Sequence, residues 1–333
     1  MIRLNPDQFE SVRPLFDGLC YHLNLFSVIE GKCPGQVFAS DAGHPKAALI
    51  WEQVEGNCYL AGDCSDLDVV NEIRTVISEE IVPAGKSNPD MVELLINWHP
   101  DAWEDHFDVV LADIAPMRHL RKHFVIDSPP LVDWRTDLPA DYALQLVGDQ
   151  LLSRNELVNI DKIRGWGSGS HEAMKPLMGG GIGTVVLDGD HIVSWCMGDY
   201  AAGNAVEVGI HTDVAYRRKG LATLATAAMV ETCLESGADY VGWHCWSSNE
   251  ASAQTARKVG FRQTIEHPIY HAWYNRVDNQ FVRGNMLKFE YGEPAKAVQE
   301  YAAGFRMIDE GHTDVEFSRF AANWLAWAHY NMA

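Results

Sequence analysis

The sequence predicts an α/β (α+β) protein with two mixed halves and a helical extension. The chain has 333 residues and is 47% hydrophobic, which is ample apolar material for two cores. Strand-like and helix-like apolar patterns follow one another in both halves. A proline-rich charged segment, IDSPPLVDWRTDLPADY (126–142), predicts the connection between them. We therefore predict an N-terminal α/β domain (1–130), a second α/β domain (135–290) and a C-terminal helical extension (291–333).

The first half is predicted to contain two helices and five strands. Its order is helix, three strands, helix and two strands, with the apolar face of the second helix formed by Val69, Ile73, Val76 and Ile77. The segments are NPDQFESVRPLFDGL, GQVFAS, KAALIW, NCYLAGD, DLDVVNEIRTVISEEIV, MVELLINW and DVVLADI. We find no catalytic motif in this half.

The second half is predicted to open with a helix at QLLSRNELVNIDKIRGW. The next segment, MGGGIGTVVLDGDHIVSWCMGDY, begins as a flexible loop at a substrate entrance and continues as two strands joined by an Asp-Gly-Asp hairpin turn. The order is then strand, helix, strand, helix and strands. These segments are AVEVGIHT, a helix from Arg218 toward Ser236, DYVGWHCW, NEASAQTARKVG, FRQTIEHPIYHAWY and GNMLKFEYG. Two amphipathic helices, EPAKAVQEYAAGFRMIDEG and DVEFSRFAANWLAWAHYNMA, are predicted to form the extension.

Composition excludes several classes of protein. With 26 Lys and Arg against 46 Asp and Glu, the net charge of −20 argues against nucleic-acid and anionic-membrane partners. The seven cysteines include no CxxC pair, which argues against a disulfide framework and a structural zinc site. We find no signal-like N-terminus and no apolar run of about 20 residues. These features predict a cytoplasmic protein.

One basic stretch stands out in this acidic chain. Arg217, Arg218 and Lys219 directly precede Gly220, between a predicted strand and a predicted helix. The first amides of a helix lack intrahelical partners and carry the positive end of the helix dipole. They therefore predict a local anion site that a diphosphate approaches past the glycine. The alternative is a solvated turn before an ordinary alanine-rich helix.

Here the sequence resembles a family. RRKGLA (217–222) resembles the [QR]xxGx[GA] acyl-CoA pyrophosphate loop of the GNAT superfamily of N-acyltransferases, and NEASAQTARKVGF (249–261) resembles its helix ending in KxGF. P-loop and dinucleotide sites are excluded, since no GxxxxGK[ST] or GxGxxG occurs in the required context. The whole chain is loosely similar to the zwittermicin-resistance type, through PGQVFAS, YLAGD and the later W…N…S…KxGF arrangement. The resemblance implies a mostly antiparallel GNAT-type sheet flanked by helices, preceded by a degenerate GNAT-like half.

The resemblance also implies acetyl-CoA as acyl donor and a set of residues that hold it. The pantetheine arm is expected along the strand, with a main-chain N–H bonding the thioester oxygen and Asn249 holding the arm or only capping its helix. The implied coenzyme residues are Ile210, Thr212, Arg217, Arg218, Lys219, Gly220, Leu221, Ala222, Thr223 and Asn249.

Glu207 and His211 are the candidates for the catalytic base. GNAT enzymes often place a carboxylate on this strand that draws a proton from the amine through water. His211 lies four residues along and is expected on the same face. The structural alternatives are a solvent-facing Glu207 and an ordinary structural histidine.

The general acid is where the sequence departs from the family. Most members have a tyrosine four residues before the glycine of KxGF, and this chain has Ala256 there. Tyr270, which we include among the catalytic candidates, Tyr274, His244 or solvent are the substitutes that remain open.

Other patterns are weaker. His119 and His123 have the i, i+4 spacing of a metal-binding helix, but their basic neighbours favour a solvated basic face, and we predict no metal site. Aromatic residues are expected either to line an acceptor pocket or to form core. They are Trp243, Trp246, Tyr270, Trp273 and Tyr274.

The sequence therefore predicts an acetyl-CoA-dependent N-acetyltransferase for a primary amine of a small, cationic molecule. One alternative is a GNAT-fold module that binds acyl-CoA with little or no catalysis, suggested by Ala256. Another is an acyltransferase for protein N-termini or lysines. The sequence does not name the acceptor, the acyl length or the oligomeric state.

Overall fold

A computed structural model of the protein describes residues 1–88, 91–166 and 171–311. The strands are β1 (Ile2–Arg3), β2 (Gly35–Ala39), β3 (Ala47–Glu52), β4 (Asn57–Gly62), β5 (Glu93–His99), β6 (Met117–Ile126), β7 (Ala143–Leu146), β8 (Gly183–Asp188), β9 (His191–Ala202), β10 (Ala205–Thr212), β11 (Tyr240–Trp246) and β12 (Arg262–Trp273). The α-helices are α1 (Leu23–Ile29), α2 (Leu67–Val76), α3 (Val82–Ser87), α4 (Phe107–Val110), α5 (Trp134–Asp137), α6 (Asp149–Leu152), α7 (Ile160–Arg164), α8 (His171–Met174), α9 (Leu221–Glu235), α10 (Glu250–Val259), α11 (Arg276–Phe289) and α12 (Pro294–Asp309). Further helical turns are 3₁₀ segments at Pro6–Leu19, Asp101–His106, Lys175–Met178 and Val214–Tyr216, and a π segment at Ile77–Ile81.

The chain divides into two compact units, and the first contains residues 1–18, 36–119 and those from 268 onward. Its strands follow the order β1-β2-β3-β4-β5-β12. β4 and β5 are parallel, whereas β3/β4 and β5/β12 are antiparallel. The apolar face of α2 packs into the same core as the sheet through Val70, Ile73 and Val76.

The second unit contains residues 19–35 and 120–267. Its strands follow the order β6-β11-β10-β9-β8-β7. Only the pair β10/β11 is parallel among the registered neighbours of this unit. Val206, Val241 and Trp243 share a core with residues of α9 and α10. Because strand residues alternate between faces, Glu207 and His244 belong to the opposite face of the sheet.

The predicted fold class is confirmed: the protein is a mixed α/β structure with a mostly antiparallel arrangement of strands. The hairpin β8/β9 turns at Gly189, as the Asp-Gly-Asp turn predicts. The order β10, α9, β11, α10, β12 and the helix α12 are also as predicted. The second predicted C-terminal helix lies outside the described residues. The proline-rich segment 126–142 falls within the second unit, and the domain bounds 1–130, 135–290 and 291–333 stay a prediction.

Two predicted strands are wrong. DVVLADI overlaps α4 and the turn that follows it, where Val110 and Leu111 are buried in the core of the first unit; a short apolar run does not distinguish strand from helix. GNMLKFEYG lies largely within α11. That helix begins earlier than the pattern showed, because the Asn275 side chain accepts the amides of Val277 and Asp278 as an N-cap.

Three further predictions need correction. The helix predicted over 150–166 is two short helices, α6 and α7. The helix predicted from Arg218 begins at Leu221, because Arg218 and Gly220 both have left-handed backbone conformations, with φ of 63° and 82°. His119 and His123 lie on β6 and are buried, so the interpretation as a solvated basic face is wrong. Among the described residues, we find no helix that combines the length and apolarity needed to cross a bilayer.

Candidate functional site

The parallel strands β10 and β11 of the second unit separate part-way along their length. Their registered pairs run from Ala205↔Tyr240 to Glu207↔Gly242, although β10 continues to Thr212 and β11 to Trp246. Throughout residues 205–246, all of which the structure describes, no β10/β11 pair follows Glu207↔Gly242. The edge of β10 from Val208 onward therefore presents backbone groups without β11 partners.

Residues 213–220, which include the 3₁₀ segment Val214–Tyr216, connect β10 to helix α9. Gly220 is its N-cap, and a Cβ built on Gly220 meets nothing within 4 Å. The amide of Leu224 donates to the carbonyl of Gly220 at 3.2 Å. The amides of Leu221, Ala222 and Thr223 precede this bond, so they form the open donor end of the helix.

The basic side chains of this turn are exposed. The Nε of Arg217 donates to the carbonyl of Thr212 at 3.1 Å, tying the turn to the end of β10. The Nζ of Lys219 lies 3.3 Å from the hydroxyl of Tyr142 and 4.7 Å from the centre of the Tyr216 ring. Exposed cations beside open amides suit a bound anion.

Glu207 lies at the last registered pair, on the face away from α9. Only 6% of the residue is exposed, and its Oε1 is 2.7 Å from Nδ1 of His244. Its Oε2 makes no hydrogen bond to any described residue, and a Cβ at Gly242 would collide with this oxygen. Burial raises the pKa of Glu207 to about 7, opposed by the charges of His123 and Arg121.

The second base candidate, His211, is half-buried at the far end of β10. Its ring stacks on Trp195 with centroids 4.5 Å apart, and its Nε2 lies 3.5 Å from Oδ1 of Asp213. Burial lowers the pKa of His211, partly offset by Asp213. Both base candidates lie in the second unit.

An acidic side chain that sequence reasoning missed lies between them. The β9/β10 register shifts between Glu207, paired with Tyr200, and Val208, paired with Gly198, which leaves Asp199 as the extra residue. A Cβ on Gly209 would lie 2.6 Å from Oδ2 of Asp199, so this carboxylate lies over β10 between the two base candidates. Its Oδ1 accepts the indole N–H of Trp166 at 2.7 Å. Alternation alone does not reveal a bulge residue.

The candidates for the general acid lie in different settings. Tyr270 and Tyr274 belong to the first unit, where the Tyr270 hydroxyl donates to Oε1 of Glu104 at 3.2 Å and the Tyr274 hydroxyl accepts the indole N–H of Trp51 at 3.1 Å. Burial raises the pKa of both phenols. Ala256 lies on the buried face of α10, and its side chain offers no polar atom. The general acid remains unassigned.

Two other sequence candidates have structural roles. The Asn249 side chain accepts the amide of Ser252 at 3.1 Å as the N-cap of α10; the coenzyme role stays a prediction. Trp243 is buried in the α9-side core against Phe261, so for this residue the core interpretation holds. Trp166 and Trp195, which make an edge contact at 6.2 Å, are two aromatic residues near Asp199 and His211.

Comparison with known proteins decides the family. The sequence pattern of the GNAT acetyltransferase family matches residues 13–270. The chain belongs to the GNAT acetyltransferase family. The predicted membership is thereby confirmed, and the protein is an acyltransferase.

The relatives agree with this family. The chain is 25% identical over 270 residues to the Bacillus subtilis (strain 168) protein named uncharacterized N-acetyltransferase YdfB, covering 81% of this chain and 97% of that one. A GCN5-related N-acetyltransferase-like protein from Streptococcus suis has the same fold, with a TM-score of 0.54, 18% identity and coverage of 80% and 98%. The GCN5-related N-acetyltransferase from Sphaerobacter thermophilus matches with a TM-score of 0.55 and 11% identity, over 82% of this chain and 95% of that one.

Proposed function

We propose that this GNAT protein transfers an acetyl group from acetyl-CoA to a primary amine of a small, cationic molecule. The observation that carries the proposal is the separation of β10 and β11 beyond Glu207↔Gly242, beside the open first turn of α9. An exposed strand edge binds an extended amide-containing chain by main-chain hydrogen bonds. The pantetheine arm has this chemistry.

The residues present fit the coenzyme at both ends. The uncovered edge of β10 offers backbone groups for the arm, and the amides of Leu221, Ala222 and Thr223 offer donors for the diphosphate. The space beside Gly220 is open, and Arg217, Arg218 and Lys219 supply positive charge. Acetyl-CoA, when bound, supplies a thioester-activated acetyl group.

Glu207 is the residue we propose as the base. Its Oε1 is engaged by His244, whereas its buried Oε2 has no hydrogen-bond partner among the described residues. Oε2 is therefore the atom proposed to take a proton from the acceptor ammonium, directly or through a water molecule. A main-chain N–H on the open edge of β10 is proposed to donate to the carbonyl oxygen as negative charge develops there.

The acceptor class follows from the charges on this face. Asp199 and Glu207 place two carboxylates along β10, and Trp166, Trp195 and His211 lie beside them. Carboxylates with aromatic neighbours favour a cationic amine. Acylation of protein N-termini or lysines requires the same acceptor chemistry and remains the alternative substrate class.

The test is to measure acetyl-CoA binding by calorimetry and then screen amines for release of free thiol. The screen contains polyamines, aminoglycosides, amino acids and short peptides with a free N-terminus or lysine. We expect binding of acetyl-CoA and thiol release with at least one small amine. Binding without thiol release for every amine would favour the module that holds acyl-CoA without catalysis.

The cytoplasmic location stays a prediction.

A further inference from the structure

We propose that His22, His244 and His267 bind a divalent transition-metal ion, with Zn²⁺ as the preferred ion. Each of the three imidazoles offers one nitrogen, and these atoms lie within 4.8 Å of one another. All three residues belong to the second unit. The site goes beyond the proposed acetyl transfer, which requires no metal.

The three ligands come from separate parts of the chain. His22 precedes α1 as its N-cap residue, His244 lies on β11 and His267 on β12. His22 and His267 are each 3% exposed, and 10% of the His244 side chain is exposed. No short motif connects residues so distant in sequence, which is why sequence reasoning predicted no metal site.

The rings contact one another at close range. The His22 and His244 rings are parallel with centroids 5.1 Å apart, and the His267 ring stands nearly perpendicular to both, at 5.0 and 5.8 Å. The Tyr21 ring lies against His22 and His267 at 4.5 and 4.8 Å. The three imidazoles therefore form one compact, largely buried cluster within the second unit.

The chemistry of three imidazole ligands selects the class of ion. Neutral imidazoles bind Zn²⁺ and other transition metals, whereas Mg²⁺ and Ca²⁺ prefer oxygen ligands.

Glu207 contacts the histidine cluster through His244. Its Oε1 lies 2.7 Å from Nδ1 of His244, and a carboxylate bonded to one nitrogen of a histidine commonly orients the other toward a metal. The Nε2 of His244 is buried and has no hydrogen-bond partner in the part of the chain that the structure describes. The Glu207 carboxylate also offsets positive charge from Arg121 and the ion.

A second possible grouping shares His244. His123, Glu207 and His244 also bring three ligand atoms within 4.8 Å. We favour the three-histidine group because Glu207 already engages His244 Nδ1, which leaves Nε2 as the ligand atom. Zn–N bonds of about 2.0–2.1 Å imply that the ligand atoms draw closer together on binding.

The experiment uses full-length protein without a histidine tag, stripped with a chelator and titrated with ZnCl₂ by calorimetry. We expect one Zn²⁺ per chain. His22→Gln and His267→Gln should each weaken Zn²⁺ binding by more than the roughly 10- to 100-fold typical of losing an outer-shell partner. His191→Gln, a half-exposed histidine of the same unit, is the matched control and should bind Zn²⁺ like the wild type. The wild type loaded with Co²⁺ should show the visible absorption of a tetrahedral nitrogen-ligated ion.

Acetyl-CoA affinity measured on the same samples separates this proposal from the proposed function. His22→Gln should lose Zn²⁺ yet retain acetyl-CoA binding, which also shows that it folds. A wild type that binds no stoichiometric Zn²⁺ and gives no Co²⁺ spectrum overturns the metal site, whatever the coenzyme does. Equal Zn²⁺ binding by wild type and both cluster variants overturns it too. Loss of Zn²⁺ in His123→Gln, but in neither cluster variant, would move the ion to the other grouping and reject this assignment.

Discussion

Glu207 acquires its chemical character from its position on β10. It is buried on the face away from α9, bonded to His244 through one oxygen and without a hydrogen-bond partner, among the described residues, at the other. A carboxylate with one engaged and one available oxygen is held in a fixed orientation toward an approaching amine. This arrangement supports our proposal that the side chain takes part in proton transfer rather than in coenzyme binding.

Glu207→Gln separates those two roles. We expect kcat to fall by about 100-fold or more, because an amide cannot take the proton, while the Kd for acetyl-CoA changes little. Steady-state kinetics and calorimetry measure the two quantities. Glu235→Gln, at the exposed end of α9, is the control and should retain full activity. An active Glu207→Gln enzyme would remove Glu207 from the mechanism.

Glu52 in the first unit gives a test of stability against pH. Its carboxylate is fully buried and accepts the side-chain N–H of Asn57 at 3.1 Å and the amide of Glu55 at 3.2 Å. Burial, helped by the charge of Glu55, raises its pKa from 4.5 to about 7. A raised pKa means that the folded state holds the proton after the unfolded state has released it. Glu52 therefore stabilises the folded state least at pH values above its pKa in the folded protein.

We expect Glu52→Gln to gain stability relative to the wild type as pH rises from about 4.5 to 7, by about 3 kcal/mol in total, and then to level off. Urea unfolding of both proteins at a series of pH values measures this difference. Glu79→Gln, at an exposed carboxylate of the same unit, should show a much flatter difference. A pH-independent difference for Glu52→Gln would contradict a proton held at Glu52.

At the scale of elements, the β9/β10 register shift adds a carboxylate to the face of β10 that carries Glu207. The extra residue Asp199 lies over Gly209, between Glu207 and His211 along β10. Bulges commonly redirect a side chain next to a functional site. A carboxylate placed there is expected to bind the positive charge of the acceptor rather than to take part in proton transfer.

Asp199→Asn should therefore raise KM for the amine about tenfold, equivalent to about 1.4 kcal/mol, with a smaller change in kcat. The asparagine oxygen retains an acceptor for the indole N–H of Trp166. Asp190→Asn, in the exposed β8/β9 turn, is the matched control. If KM stays constant in both variants, Asp199 does not contact the acceptor.

The elements also show what the sequence could and could not predict. The turn glycines and apolar periods of β8, β9, α9 and α10 are local signals, and these elements were predicted in the right order. The helix α11 was predicted as a strand in part, because tertiary packing of Phe281 and Gly284 against α12 decides a pattern that is ambiguous locally. In the site, the RRKGLA motif lies at the open first turn of α9, and its role in coenzyme binding stays a prediction. The grouping of His22 with His244 and His267 depends on tertiary structure alone.

At the scale of the whole molecule, each unit contains two parallel strands connected through a helix: β4, α2 and β5 in the first unit, and β10, α9 and β11 in the second. The two strand pairs differ in how far along their length they stay paired. In the first unit, β4 and β5 remain paired from Asn57↔Leu95 to Ala61↔His99, one residue before β4 ends. Its helix α2 has Asp66 as the N-cap, and the side chain of Asp66 accepts the amide of Asp68. An amide already bonded to a carboxylate does not favour a diphosphate.

We therefore expect one acetyl-CoA per chain, bound by the second unit. Calorimetry and native mass spectrometry should both give a stoichiometry of one. Asp66→Ser should leave acetyl-CoA binding unchanged, because the first unit takes no part in it. Two molecules of coenzyme per chain would mean that the first unit has retained a site.

The most direct test of the account compares tryptophan at the two ends of α9. Gly220 and Gly237 both have left-handed backbone conformations, with φ of 82° and 91°, and a Cβ on either meets nothing within 4 Å. Gly220→Trp and Gly237→Trp thus carry similar backbone strain, yet only the first places an indole over the open amides. Calorimetric titration with acetyl-CoA should show loss of binding in Gly220→Trp and wild-type affinity in Gly237→Trp. Unchanged affinity in Gly220→Trp would contradict the assignment of the coenzyme to the first turn of α9.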